Sequence, residues 1–144
     1  MKKIMLVGRT GAGKTTFCQA IHNEEIHYKK TQAVEVIDNT IDTPGEFMEN
    51  RRLYGALMVT GADADYIVLL RDCTEPQTIF APSFTSMFAK PAIGLVTKTD
   101  LAQNENQIKR SREDLEIAGC RKVFEISSVS GEGLDEVMQF LNLT

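Results

Sequence analysis

The chain has 144 residues, 42% of them apolar, and carries 16 Lys and Arg against 20 Asp and Glu for a formal charge of -4. That size and balance predict one globular domain over residues 1–144 and exclude a disordered or fibrous chain. They also exclude a binder of nucleic-acid polymers that relies on positive charge, because no run of Lys or Arg exceeds two residues.

In chain order, the apolar run Ile4 to Val7 is closed by Gly8 and Arg9. It is too short for a signal-peptide core and predicts a first β-strand; no other stretch approaches the roughly 18 apolar residues of a membrane span. A helix follows over Lys14 to His22. Ala33 to Ile37 and Thr40 to Asp42 are extended in character, and Asp38-Asn39 between them tolerates the left-handed backbone of a tight hairpin. Further on, a helix over Glu49 to Val59 leads to an aliphatic strand, Tyr66 to Leu70. The segment Ser83 to Ala89 predicts a short helix opened by Pro82-Ser83, with Phe84 and Phe88 and the preceding Phe80 forming a stripe that reads as core before it reads as a docking face. A strand over Ala92 to Val96 precedes a charged helix, Asn104 to Ala118, whose weak apolar stripe of Ile108 and Leu115 places it on solvent. The last strand is Val123 to Ile126. The last helix, Leu134 to Leu141, sets Leu134, Val137, Met138 and Leu141 on one face.

Aliphatic strands of this kind suit a sheet buried on both faces, and their alternation with helices predicts an α/β fold. About six strands are expected, five parallel and one antiparallel at an edge, with helices on both faces. Cys18, Cys73 and Cys120 are odd in number and widely spaced, with no zinc or CxxC pattern, and read as reduced thiols of a cytoplasmic protein. His22 and His27 have no Cys or carboxylate at ligand spacing, which argues against a metal role.

The segment Gly8-Arg9-Thr10-Gly11-Ala12-Gly13-Lys14-Thr15 fits G-x-x-x-x-G-K-[ST] and lies between the first strand and the first helix, the context in which the pattern has mechanical sense. Its glycines let backbone N–H groups turn inward around phosphate oxygens, the helix start adds its positive dipole end, and Lys14 brings an ammonium to the β- and γ-phosphates. Thr15 is then a Mg²⁺ ligand. Asp42-Thr43-Pro44-Gly45 follows an extended segment, so Asp42 can hold Mg²⁺ through water and Gly45 can offer its N–H to the γ-phosphate. Thr97-Lys98-Thr99-Asp100 follows a strand at the same edge. A carboxylate there accepts two hydrogen bonds from guanine N1 and N2, a donor pair adenine lacks. Ser127-Ser128-Val129-Ser130-Gly131 follows the last strand and can reach the base from the other side.

On these four elements, in this order, the chain resembles the Ras-like P-loop GTPases over almost its whole length. Asp42 to Gly45 matches DxxG, Thr97 to Asp100 matches [NT]KxD, and Ser127-Ser128-Val129 is similar to the SAK element. With Tyr28-Lys29-Lys30-Thr31-Gln32-Ala33-Val34-Glu35 and Glu49-Asn50-Arg51-Arg52 added, it resembles more closely the EutP/PduV family, GTPase-like proteins associated with bacterial microcompartments for ethanolamine and propanediol use. The resemblance implies a three-layer P-loop fold and a purine nucleoside triphosphate, GTP or else ATP, bound with Mg²⁺. It implies nucleotide contacts from Gly8, Arg9, Gly11, Ala12, Gly13, Lys14, Thr15 and Thr16, then from Thr31 and Gly45, then from Thr97, Lys98, Asp100, Ser127, Ser128 and Val129. Thr15 and Asp42 are the metal ligands, Lys14 and Glu46 the catalytic candidates, and a microcompartment shell protein or enzyme the expected partner.

Several positions depart from the Ras-like pattern. Glu46 stands where a water-orienting glutamine is usual, and a carboxylate near a γ-phosphate is repelled, so hydrolysis is expected to be slow. Gly11 replaces the asparagine of potassium-activated bacterial GTPases. Thr31 is the only threonine for a first switch, separated from Asp42 by only ten residues, a short segment for that role. Thr97 replaces the commoner asparagine, and its hydroxyl can make one of the same loop contacts. Three functions therefore stay open: a slowly hydrolysing GTP switch, a kinase passing the γ-phosphoryl of ATP to a carboxylate such as acetate, and an adaptor that binds nucleotide without turnover.

Overall fold

A computed structural model describes residues 3–8, 17, 35–37, 40–42, 54–78, 80–127 and 131–141. Its strands are β1 (Ile4–Val7), β2 (Glu35–Ile37), β3 (Thr40–Asp42), β4 (Tyr66–Asp72), β5 (Ala92–Thr97) and β6 (Lys122–Glu125), and its helices α1 (Tyr54–Gly61), α2 (Glu105–Ile117) and α3 (Leu134–Leu141). The strands form one sheet in the order β2-β3-β1-β4-β5-β6. All neighbours run parallel except β2 and β3, where Glu35 faces Asp42 and Ile37 faces Thr40. The expected antiparallel edge strand on a parallel sheet is therefore present.

Strand side chains alternate between two cores. Met5, Val7, Ile67, Leu69 and Val96 join Leu57 of α1 and Leu115 of α2 in one core. Ile4, Leu6, Val68, Leu70, Ile93 and Leu95 join Phe17 and α3's Leu134 and Val137 in the other. Both faces are dry, so these strands carry continuous aliphatic runs where a sheet open to solvent on one side would alternate apolar with polar residues. Phe17, in the chain after β1, and Leu57, in the chain after β3, lie on opposite faces. Elements packed on opposite faces after neighbouring strands are the arrangement in which open α/β sheets bind ligands at the carboxyl ends of their strands.

Several elements differ from the sequence expectation. The phenylalanine segment is a 3-10 turn over Phe84–Met87, too short for a helical stripe. Its rings meet through a cluster: Phe84 lies 5.8 Å from Tyr54 edge-on, 5.3 Å from Phe80 and 6.0 Å from Phe88. All three phenylalanines are buried, as a core reading requires. β4 runs two residues past Leu70, to Arg71 and Asp72. α2 is not simply a solvated helix: Leu115 and Ser111 are fully buried against the sheet, and Asn104 is its N-cap, accepting from Gln107 N at 3.0 Å. The helix expected over Lys14 to His22 falls, apart from the helical Phe17, outside the described residues.

The approach of α2 to the sheet depends on Gly94 in β5. A Cβ there would stand 2.8 Å from Leu115 Cδ1 and 3.0 Å from its Cβ. Gly94→Ala is expected to cost about 1–3 kcal/mol through overpacking, read as a lower urea midpoint with an unchanged slope.

Cys73 and Cys120 are free and buried. Burial pushes the Cys120 thiol up from its ordinary 9.0 to about 12. The folded state therefore holds a proton that the unfolded chain releases. This contribution to stability is complete below pH 9.0 and is lost as pH rises toward 12. Peptide mapping after iodoacetamide treatment at about pH 8 is expected to find Cys120 unmodified unless denaturant is added, since the thiolate is the reactive form.

Candidate functional site

The carboxyl ends of β5 and β6 are stitched together by backbone geometry. After Thr97, Lys98 takes the left-handed conformation at φ 59°, ψ 36°, which turns the chain sharply off the sheet into a 3-10 turn over Thr99–Leu101. Such a backbone is unfavourable for a residue with a Cβ, by roughly 1–2 kcal/mol, and must be held by its neighbours. Leu101 N donates to Lys98 O at 2.9 Å, and Cys73 Sγ donates to the same oxygen at 3.3 Å. Burial, followed by the charge of Asp72, raises the Cys73 pKa and keeps it a thiol able to donate. Thr99 then staples the turn to the end of β6, giving both its N–H (3.3 Å) and its hydroxyl (3.0 Å) to Ile126 O.

That staple brings two of the expected site residues into contact. Ser127 donates its hydroxyl to Asp100 Oδ1 at 2.8 Å. The serine is buried and the aspartate exposed. Ser127 is itself held by its N–H on Glu132 O (2.9 Å), while its carbonyl accepts from Gly131 N (2.8 Å). Asp100 has no second protein hydrogen bond among the described residues. The carboxylate is thus oriented from below and open above, which suits a ligand presenting adjacent N–H donors.

Lys98 reaches back across the sheet edge. Its ammonium lies 3.0 Å from Asp72 Oδ2 at the end of β4, with the lysine one-third exposed and the aspartate almost wholly buried. The other oxygen of Asp72 accepts from Thr74 N (2.8 Å) and Thr74 Oγ1 (2.6 Å). Arg71, 3% exposed, points to the opposite face and pairs with Asp114 of α2 at 3.2 Å, while also donating to Asp72 O. Arg71, Asp72 and Thr74 were not among the residues singled out from sequence. The available signal was a charged pair directly after an aliphatic strand, at the edge where ligands of such sheets bind.

Of the remaining expected residues, buried Gly8 follows β1 directly, and Asp42 closes β3 one residue past Ile41, with β1's Leu6 opposite it in register. Both therefore stand at the same sheet edge as Thr97, which is buried. Arg9, Gly11, Ala12, Gly13, Lys14, Thr15, Thr16, Thr31, Gly45, Glu46, Ser128 and Val129 lie outside the described residues. Among the described residues, no group of three or more His, Cys, Asp or Glu could hold a metal ion.

The family described as "Ethanolamine utilisation - propanediol utilisation", PduV-EutP, matches residues 1–143. The chain belongs to the PduV-EutP family. Among curated relatives, propanediol utilization protein PduV of Citrobacter freundii is 45% identical over 142 residues, covering 99% of this chain and 94% of that protein. A protein named probable acetate kinase EutP, of Escherichia coli (strain K12), is 31% identical over 144 residues, covering 98% of this chain and 89% of its own length. Among solved structures, translation elongation factor SelB from Methanococcus maripaludis, in complex with the GTP analogue GppNHp, superimposes with a TM-score of 0.73 at 20% identity, over 99% of this chain and 33% of that one. The fold of this PduV-EutP member is thus that of the P-loop GTPases, as the motif order implied. Among the described residues, no helix is long and apolar enough to cross a membrane.

Proposed function

We propose that this PduV-EutP protein binds GTP with Mg²⁺ and hydrolyses it slowly, as a switch in ethanolamine or propanediol utilisation. The observation that carries the reading is the exposed Asp100 carboxylate held by Ser127, at the sheet edge where β1 delivers Gly8 and the phosphate-loop sequence that follows. Asp100 selects guanine through its N1 and N2 donors. The N–H groups of the loop from Gly8 to Thr15 and the Lys14 ammonium hold the phosphates. Thr15 and Asp42 are the residues suited to Mg²⁺, which when bound neutralises charge between the β- and γ-phosphates. Glu46 stands in the sequence where Ras-like proteins have a water-orienting glutamine; a carboxylate in that role is repelled by the phosphate charge and leaves attack by water poorly organised. A shell protein or enzyme of a microcompartment is the partner that fits a cytoplasmic switch of this family.

A second reading has its own support: a relative carries the name probable acetate kinase, and Glu46 removes the usual means of orienting water. There the bond between the γ-phosphorus of ATP and its bridging oxygen breaks, a carboxylate oxygen of acetate bonds to that phosphorus, and ADP and acetyl phosphate result. The two readings separate with γ-labelled GTP and ATP, each supplied with and without acetate. Phosphate released from GTP irrespective of acetate supports the switch. Labelled acetyl phosphate formed from ATP overturns it in favour of the kinase, and the absence of any turnover with retained GTP binding overturns it in favour of a nucleotide-bound adaptor.

A further inference from the structure

β4 carries aliphatic side chains to both cores as far as Leu70 and then places two charges, Arg71 and Asp72, at positions 3% and 6% exposed. A buried carboxylate is costly unless it is paired and hydrogen-bonded. Asp72 meets that condition in an informative way. The two hydrogen bonds from Thr74 both fall on Oδ1 and would still be accepted, more weakly, by a neutral amide oxygen. Only the contact of Oδ2 with the Lys98 ammonium, at 3.0 Å, calls for a charge.

Lys98 is thereby tethered at both ends. Its left-handed backbone is held through its carbonyl by Cys73 and Leu101, and its ammonium is drawn back onto Asp72. The methylene stem between them is partly exposed and belongs to the same turn as Asp100, two residues on. A side chain whose charge is tied back along a sheet edge presents its apolar stem, already ordered, to a flat ligand beside it. We propose that Asp72 is a positioning residue for the base end of the nucleotide site, fixing the Lys98 stem against which a guanine bonded to Asp100 lies. The proposal rests on the guanine reading of Asp100. Without the Asp72 charge the ammonium turns to solvent, and binding must order the stem anew.

The test is a double-mutant cycle on the full chain, with Asp72→Asn, Lys98→Met and their combination, read by equilibrium titration of GTP and GDP. Asp72→Asn keeps an oxygen acceptor for Thr74, removes the charge and turns an N–H₂ donor toward the Lys98 ammonium in place of its acceptor. We expect it to raise the Kd for GTP and GDP alike by about tenfold, because the loss is at the base, and to add nothing in the Lys98→Met background. A purely structural role would carry the same factor into both backgrounds. Near wild-type affinity in Asp72→Asn, an effect that persists undiminished with Lys98→Met, or a loss confined to GTP each overturns the assignment. Should Asp72→Asn fail to fold, Lys98→Arg, which keeps the pair, and the double variant, which leaves no charge unpaired, replace it. Equal affinity of those two proteins overturns the assignment as well. Wild-type protein is titrated first: if it binds no guanine nucleotide, the functional reading itself has failed, an outcome distinct from a wild type that binds and an Asp72→Asn that binds as tightly.

Discussion

Asp100→Ala is expected to erase a preference of at least about tenfold for GTP over ATP. The carboxylate stands on an exposed turn, but its direction is set by the buried Ser127 hydroxyl at 2.8 Å and by the Thr99 staple to Ile126. An oriented carboxylate pays little to meet the N1 and N2 donors of guanine, whereas adenine offers it no such pair. Hydrogen bonds to a charged acceptor contribute roughly 1.5–3 kcal/mol each, and about 1.4 kcal/mol is already tenfold in affinity. The alanine variant should lose that increment for GTP and keep its affinity for ATP, because phosphate contacts lie elsewhere. Parallel titrations of both nucleotides at fixed Mg²⁺, on wild type and variant, measure it. Wild-type protein that binds the two bases equally would remove the guanine assignment and favour phosphoryl transfer from ATP.

The second large effect concerns stability. Asp114→Ala is expected to destabilise the fold by about 3 kcal/mol, because it strands a buried guanidinium. Arg71 is 3% exposed and Asp114 21%, and both the Nε (3.4 Å) and Nη2 (3.2 Å) of the arginine are directed at the same carboxylate oxygen. Among the described residues, removing the aspartate leaves only the Asp72 carbonyl to the guanidinium. The converse change, Arg71→Met, should be the milder, since water can reach the 21% exposed carboxylate left behind and methionine brings no charge to bury. The double variant should recover most of the loss from Asp114→Ala. Urea unfolding of the three variants checks the order; an Asp114→Ala protein as stable as wild type would mean that the buried guanidinium finds another partner.

Much of the sheet could be read from residue order because burial on both faces demands uninterrupted aliphatic runs. Ile4–Val7, Tyr66 to Leu70 and Ala92 to Val96 are such runs, and each is a strand in the structure. Asp38-Asn39 separates the two extended segments that proved to be the antiparallel β2 and β3, and itself lies outside the described residues. The phenylalanine spacing was misleading about local conformation yet right about location: Phe80, Phe84 and Phe88 are buried, but around a 3-10 turn, since contacts with Tyr54 and with one another hold them whatever the backbone period. Asn104 was read as the first residue of a helix and is its cap, because a side-chain acceptor for Gln107 N competes well with a helical backbone at that position.

At the site, the spacing of Thr97, Lys98, Asp100 and Ser127 already named a turn and a following loop as partners, since both follow strands and so arrive at one edge. That Ser127 grips Asp100, that Lys98 turns left-handed, and that it pairs with Asp72 belong to the packing of β4, β5 and β6. Local order therefore settled which segments are strands and which motifs sit at their ends, because those depend on burial period and turn chemistry within a few residues. Only three-dimensional assembly decided that Arg71 and Asp72 could stay charged inside the protein. Their counter-charges come from other elements, Asp114 lying 43 residues beyond Arg71, and a buried ion is tolerable only once such a partner is in place.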